Sequence, residues 1–225
     1  MKILCIADIH GDLAGVRAAG KYAGENGIKD ILILGDFPGH GVFHNIVTSI
    51  EQIRSALDEL SGFSVLAIPG NCDPQRTTEV FDEYGVNLHE KVKEIGGARI
   101  VGFGGSNITP FGTPLEYSEN EIYERLSKIM PPAGGKTILA VHCPPIDTRC
   151  DQTGSGMHAG SSAIRRIIEE FQPDLAVCSH IHEAGGSSDA IGTTKVANIG
   201  RLANSRIGLI ETDGSPGASL ELMDK

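Results

Sequence analysis

Asp8-Ile9-His10, Gly35-Asp36, Gly70-Asn71-Cys72-Asp73, His142 and His180-Ile181-His182 stand at the ends of apolar runs along this chain. Carboxylate, amide and imidazole side chains are metal donors. Asp8, His10, Asp36, Asn71, His142, His180 and His182 supply three oxygen-bearing groups and four imidazoles. That is more than one ion needs and about right for two. The runs KILCIA, DILILG, SVLAIPG and KTILAV precede the first four motifs, and DLAVCS precedes the last. A strand that ends in a ligand projects it from a rigid element onto one rim of a sheet. Mixed nitrogen and oxygen donors without thiolate suit Mn, Fe, Ni or Zn better than Ca or Mg. Two divalent transition-metal ions from that group are the expected cofactors.

The ordered set resembles the calcineurin-like metallophosphoesterases, and the likeness covers most of the chain. The family pattern runs Asp-x-His, Gly-Asp, Gly-Asn-His-Asp/Glu, a lone His and Gly-His-x-His. Carried over residue by residue, the resemblance implies that Asp8, His10, Asp36 and His182 hold one metal ion. It implies that Asp36, Asn71, His142 and His180 hold the second, with Asp36 as the bridge. The sequence departs from the pattern at Ser179, which stands for the glycine of the last motif, a small-for-small change. It departs again at Cys72, which stands for the histidine of Gly-Asn-His-Asp. In the family that histidine lies over the substrate and assists departure of the leaving group. The Gly-Asn-Cys-Asp form is similar to that of some short bacterial and archaeal members. The resemblance implies a dinuclear-metal hydrolase that cleaves small phosphodiesters with a hydroxide bridging the two ions. The fold it implies is α/β, a four-layer α/β/β/α sandwich of two mixed sheets with the metal site at strand ends.

Two divalent cations about 3.5–4 Å apart suit ester hydrolysis at phosphorus, because they acidify a water and neutralise charge building on the phosphoryl oxygens. A carboxylate has two oxygens, so Asp36 can give one to each ion. An imidazole with a pKa of about 6.5 donates a proton to a leaving oxygen more readily than a thiol of about 8.5. Cys72 therefore points to activated or strained diesters rather than alkyl monoesters. His158, in Gly156-Met157-His158-Ala159-Gly160, is a candidate to take over the missing donor role. Asp36, Asn71, Cys72 and His158 form the expected catalytic set. Arg149 and Arg201 fall in loops after strands, where substrate groups usually lie. Either could clamp a phosphate bidentately, and a solvated surface arginine is the plain alternative for each. A phosphomonoesterase of small organic phosphates and a non-catalytic scaffold of the same fold stay open beside the diesterase. Degenerate scaffold members have lost ligands, whereas every ligand position is filled here.

The chain has 225 residues, of which 40% are hydrophobic, and a formal net charge of −10. That length fits one domain spanning residues 1–225. An acidic surface repels nucleic-acid backbone, and no Lys/Arg cluster counters it. Bulk nucleic acid is excluded as a partner, while a small-molecule phosphate ester remains, because metal ions supply local positive charge. No apolar run reaches the roughly 20 residues of a membrane span. Met1-Lys2-Ile3-Leu4 enters the first strand at once and leaves no room for a signal peptide, so a cytoplasmic protein is expected. The five cysteines are odd in number and form no CxxC, which is not a disulfide framework. Cys5 and Cys178 read as small core residues. Cys143, next to His142, reads as a core residue or a soft ligand. An oligomer is possible, and nothing specifies one.

The elements that must position these groups alternate strand and helix through the first half. Leu13 to Glu25, about His44 to Leu60, and Thr77 to Tyr84 read as helices. Lys91 to Ile95 and Ala98 to Phe103 read as a hairpin around Gly96-Gly97. A long loop from Gly104 to Glu116 precedes a helix at Ser118 to Ile129, with Ser118 and Glu121 at capping-box spacing. A second loop, Cys143 to Ser161, precedes a helix at Ser162 to Phe171. Short strands are expected at Ala190-Ile191, Lys195 to Ile199, Arg206 to Glu211 and Ser219 to Met223. Asp12 is expected to cap the first helix, and Asp73 to orient its neighbour or a loop amide. His40, His44 and His89 read as ordinary core or surface histidines. His180 and His182 can both face metal ions only if a turn breaks the alternation of the strand before them.

Overall fold

The computed structural model describes residues 1–39, 45–132, 134–213 and 217–222, so His40, His44 and Met223 lie outside the described residues. In chain order the first half runs β1 (Lys2–Ile6), α1 (Leu13–Glu25), β2 (Asp30–Ile33), α2 (Ile46–Glu59), β3 (Ser64–Ala67), α3 (Thr77–Glu83), β4 (Lys91–Ile95) and β5 (Ala98–Phe103). Then come β6 (Ser106–Asn107), β7 (Glu116–Tyr117), α4 (Glu119–Ile129), β8 (Lys136–Val141), α5 (Ser162–Phe171) and β9 (Leu175–Cys178). The last strands are β10 (Ser188–Ile191), β11 (Thr194–Asn198), β12 (Arg206–Glu211) and β13 (Gly217–Leu222).

Two mixed sheets result. One has the order β13-β12-β1-β2-β3, the other β10-β11-β9-β8-β5-β4. β1, β2 and β3 run parallel, and β12 joins β1 antiparallel. β5, β8, β9 and β11 run parallel, with β4 and β10 antiparallel at the edges. Successive strand residues face opposite ways, and that divides the core into layers. Leu4, Ile6, Ile31 and Ile33 pack toward α1 and α2, with Val16, Ile53 and Leu57. Ile3, Cys5, Leu32 and Leu34 face the other sheet and meet Ile100, Ile138, Leu175 and Val177. Val101, Leu139, Val141 and Ala176 turn outward onto Ile122, Leu126, Ile164 and Ile168 of α4 and α5. The expected α/β/β/α sandwich is the architecture found.

Local chemistry explains the boundaries. Asp12 caps α1 by accepting from Gly15 N at 2.9 Å, and Ser118 with Glu121 forms the capping box of α4. Gly96 and Gly97 both have positive φ, as a two-residue hairpin turn requires. The loop expected at Gly104 to Glu116 contains a pairing that periodicity could not reveal: β6 and β7 lie parallel and close residues 108–115 into a strap. Cys5 and Cys178 are fully buried, as expected. His89 is a core histidine whose Nδ1 accepts from Gly104 N at 2.9 Å.

Candidate metal centre

All the motif residues emerge beyond the carboxyl ends of parallel strands, the rim on which open α/β sheets bind ligands. Asp8 and His10 follow β1, Asp36 follows β2, Asn71 and Cys72 follow β3, His142 follows β8, and His180 and His182 follow β9. Asp8, His10, Asp36 and His180 have positive φ, half of the eight described non-glycine residues that do. Such backbone is costly and persists where its surroundings impose it, commonly at functional sites. The left-handed turn at His180 ends the strand alternation, so His180 and His182 serve the same cleft. A β-carbon on Gly70 would collide with the Asp36 carboxylate and backbone, so glycine there permits the close approach of the two loops.

Asp73 staples those loops. Fully buried, it accepts from Gly70 N at 2.6 Å, Asp36 N at 2.8 Å and Phe37 N at 3.0 Å. Cys72 N donates to Asp36 Oδ1 at 2.8 Å, so in place of the expected one oxygen per ion it is Oδ2 alone that faces both clusters. Asp36 Oδ2 stands 3.6 Å from His10 Nε2 and 3.6 Å from His142 Nε2, between two clusters. In one, His10 Nε2 lies 3.3 Å from His182 Nε2, and His182 Nε2 lies 3.7 Å from Asp8 Oδ2. In the other, Asn71 Oδ1 is 3.0 Å from His142 Nε2 and 3.0 Å from His180 Nδ1. Asp8, His10 and His182 offer donor atoms within 4.8 Å of one another, as do Asp8, Asp36 and His142.

The donor set fits cations. His10 Nδ1 bonds Pro38 O at 3.2 Å and His142 Nδ1 bonds Leu34 O at 2.6 Å, so each ring carries its proton there and turns a lone pair at Nε2 inward. Lone pairs of His142 Nε2, Asp36 Oδ2 and Asn71 Oδ1 therefore face one another, an arrangement that a positive ion relieves. Asp8 Oδ1 is buried with no hydrogen-bond partner among the described residues, and an orphaned carboxylate oxygen in a ring of imidazoles could take a cation. The electrostatics agree. Burial alone would raise the Asp8 carboxyl, yet the surrounding histidines hold it well below the usual range. Burial together with the neighbouring His142 lowers His180 to about 4, which keeps the ring neutral, with one nitrogen lone pair available, at neutral pH.

Asn71 is held from behind. Its Nδ2 donates to Thr113 Oγ1 at 2.9 Å, and Thr113 Oγ1 in turn donates to Glu116. Glu116 also accepts from Thr113 N at 2.9 Å and Thr109 N at 3.1 Å. Burial would raise this carboxyl, but the threonine bonds lower it, so it is an acceptor only. The hydroxyl proton of Thr113 is committed to Glu116, Thr113 can only accept from Asn71, and Asn71 must turn Oδ1 toward the imidazoles. Neither Thr113 nor Glu116 carried a sequence signal. Ser179 is more than a small-for-small replacement, because its hydroxyl donates to Asp8 Oδ2.

The cleft, about 340 Å³, is lined by His10, Asp36, Asn71, Cys72, His180 and His182 together with Phe111 and Thr113. The other expected site residues fall around it differently. Arg201 does not line the cleft, and its Nε is buried without a hydrogen-bond partner among the described residues; burial and the Arg201 charge oppose protonation of His182, but Asp8 and Asp36 outweigh them and raise its pKa. Arg149 faces a separate cavity that it shares with Arg206, and its backbone N–H and guanidinium both turn to Asp189. His158 does not line the cleft: its Nδ1 is 2.7 Å from buried Asp151, which raises its pKa. Cys143 is buried in the outer core and donates to Asn107 Oδ1 at 2.9 Å, so the soft-ligand alternative gives way to the core reading.

The family described as calcineurin-like phosphoesterase matches residues 1–184. An uncharacterized protein of Methanocaldococcus jannaschii is 36% identical over 205 residues, covering 88% of this chain and 87% of that protein. Among solved structures, a Thermus thermophilus protein superimposes with a TM-score of 0.70 at 18% identity, covering 98% of each chain. A dimetal phosphatase from Danio rerio superimposes with a TM-score of 0.63 at 10% identity, covering 100% of this chain and 99% of that one. The two structures show a shared fold. The chain belongs to the calcineurin-like phosphoesterase family, hydrolases of phosphate esters that typically bind two divalent metal ions. No helix among the described residues is long and apolar enough to cross a membrane.

Proposed function

We propose that this protein is a metal-dependent phosphodiesterase of small organic phosphates. The observation that carries the reading is the confluence of inward lone pairs around Asp36 Oδ2, with Asp8 Oδ1 left unpartnered beside it. Asp8, His10, Asp36 and His182 would hold one divalent ion, and Asp36, Asn71, His142 and His180 the other. When bound, such a pair supplies Lewis-acid neutralisation of the phosphoryl oxygens and an activated water at neutral pH. Mn, Fe, Ni and Zn all suit the donors.

The chain's own residues supply the rest. The backbone N–H of Cys72 fixes one oxygen of Asp36 and so aims the other. Arg201 acts electrostatically on His182 without lining the cleft, and its guanidinium would offer a fork to a phosphate held there. The Cys72 thiol lines the cleft where the family places an imidazole. A thiol is the weaker proton donor at neutral pH, which favours esters whose leaving oxygen needs no proton. Diesters with acidic leaving groups meet that condition. Cys72→His is expected to raise turnover of a poor-leaving alkyl ester relative to an aryl ester by about tenfold or more; an unchanged ratio refutes the role given to Cys72.

The reading is tested by hydrolysis of bis(4-nitrophenyl) phosphate and 4-nitrophenyl phosphate, side by side, in metal-stripped protein with and without Mn. Metal-restored turnover that favours the diester and is lost in Asp36→Asn is expected. Turnover favouring the monoester refutes the diesterase, and no turnover with Mn, Fe, Ni or Zn refutes the enzyme.

A further inference from the structure

Phe111 and Ile108 are the most exposed large hydrophobic side chains among the described residues, at 79% and 69%. Both belong to the strap between β6 and β7, and both line a cavity of about 420 Å³ beside the metal cleft. The volume is that of a small-molecule site, for which about 300–1,000 Å³ is usual. Two of its lining residues, Phe111 and His180, also line the cleft, so the two spaces are neighbours. Its apolar lining comes from Ile108, Pro110, Phe111, Ala159 and Ile181. No lysine or arginine lines it among the described residues, and Glu183 is its one acidic group.

The walls are built to stay in place. The strap is tied by the four bonds to Glu116 and by Leu115 N to Asn71 O at 3.0 Å. Asn107 joins it to the opposite loop, accepting from Cys143 Sγ and donating to Gly160 O at 3.5 Å. Exposed apolar side chains on a braced loop at the mouth of a polar centre are what a ligand's apolar part covers.

We infer that this cavity binds the organic arm of the substrate, and that the substrate is an ester with a single phosphate and a neutral, apolar or aromatic arm. The inference rests on the phosphoesterase reading, because the metal cleft must hold the phosphate. A second phosphate or a carboxylate on the arm would meet Glu183 with no cation to pair with. A ring seated beyond His180 would lie against Phe111 and remove both apolar surfaces from water. Polyphosphates, polyanionic nucleotides and acidic phosphopeptides are the classes this lining disfavours.

The test compares 4-nitrophenyl phenyl phosphate with 4-nitrophenyl methyl phosphate, which share a leaving group and differ only in the second arm. Mn-loaded wild-type protein is expected to favour the phenyl ester by about tenfold in kcat/KM, the discrimination a hydrophobic pocket gives. In Phe111→Ala/Ile108→Ser, at two exposed positions where folding is not at stake, that ratio is expected to fall toward one. Isothermal titration with phenylphosphonate and methylphosphonate gives the same comparison without turnover. Absence of 4-nitrophenol release from either ester means that the phosphoesterase reading fails, and the pocket is then judged on the phosphonates alone. Tighter phenylphosphonate binding that the double variant loses supports the pocket. Equal affinities, binding of neither, or a phenyl preference that survives in the variant overturns it.

Discussion

Replacing Thr113 with valine removes one hydroxyl and almost no volume, and it should weaken one metal position while sparing the other. In the wild type the order of protons is forced: Glu116 takes the proton of Thr113, and Thr113 takes one from Asn71 Nδ2 at 2.9 Å. Without the hydroxyl, the Asn71 amide is free to turn over. Its NH2 would then donate to the lone pair at His142 Nε2, now 3.0 Å from Asn71 Oδ1. That closes the ligand position from within, and an incoming ion must reverse the flip. The cost is about one buried hydrogen bond, roughly 1–3 kcal/mol. A loss of about 10–100-fold in affinity, the usual effect of removing a partner of a metal ligand, corresponds to about 1.4–2.7 kcal/mol. The assay is isothermal titration of metal-free Thr113→Val with Mn, resolved into two events. The event assigned to Asn71, His142 and His180 should weaken by that factor, and the event assigned to Asp8, His10 and His182 should stay within about twofold. Thr113→Ser, which keeps the hydroxyl, should restore it. Equal weakening of both events, or a serine variant as impaired as the valine one, would refute the proton ordering.

Other consequences follow from buried polar groups. Asp73→Asn keeps the shape but turns an amide N–H toward at least one of three backbone donors; a loss of about 2–4 kcal/mol is expected by urea denaturation. A loss under about 0.5 kcal/mol would mean that Asp73 does not staple the two loops. His89 is held at about 4, below its ordinary 6.5, by burial and by the charges of Arg125 and Lys91. The unfolded chain then binds more protons between those values, so stability is full above about pH 6.5 and falls as pH drops toward 4. The share lost between pH 7 and pH 5 is about 2 kcal/mol, and His89→Asn, which keeps an acceptor for Gly104 N, should flatten the slope by that amount. Parallel slopes in variant and wild type would show that His89 does not titrate on unfolding.

What could be read from the chain and what could not divide along physical lines. The hairpin at Lys91 to Phe103, the helices Leu13–Glu25 and Ser162–Phe171, and the capped start at Ser118 follow from local spacing and turn chemistry. The donors of the candidate centre were legible because each sits at the end of an apolar run. Hydroxyl roles were not legible. Thr113 reaches Asn71 across 42 residues and Ser179 reaches Asp8 across 171, and a serine or threonine carries no mark of its distant acceptor. Position after a strand does not tell which cavity a side chain faces: Asp189 on β10 engages Arg149 at a cavity apart from the cleft. The strap reads as loop in the sequence because its two-residue strands are too short to show a period.

If Asp36 joins two metal positions in one cleft, metal content and turnover must both depend on it. Metal-stripped protein reconstituted with Mn, freed of excess and analysed for metal per chain beside its rate on bis(4-nitrophenyl) phosphate tests it most directly. About two ions per chain are expected in the wild type, with activity rising only as the second binds, and loss of both in Asp36→Asn. A wild-type chain that saturates at a single ion while fully active, or an Asp36→Asn variant that keeps two ions and full turnover, would contradict it.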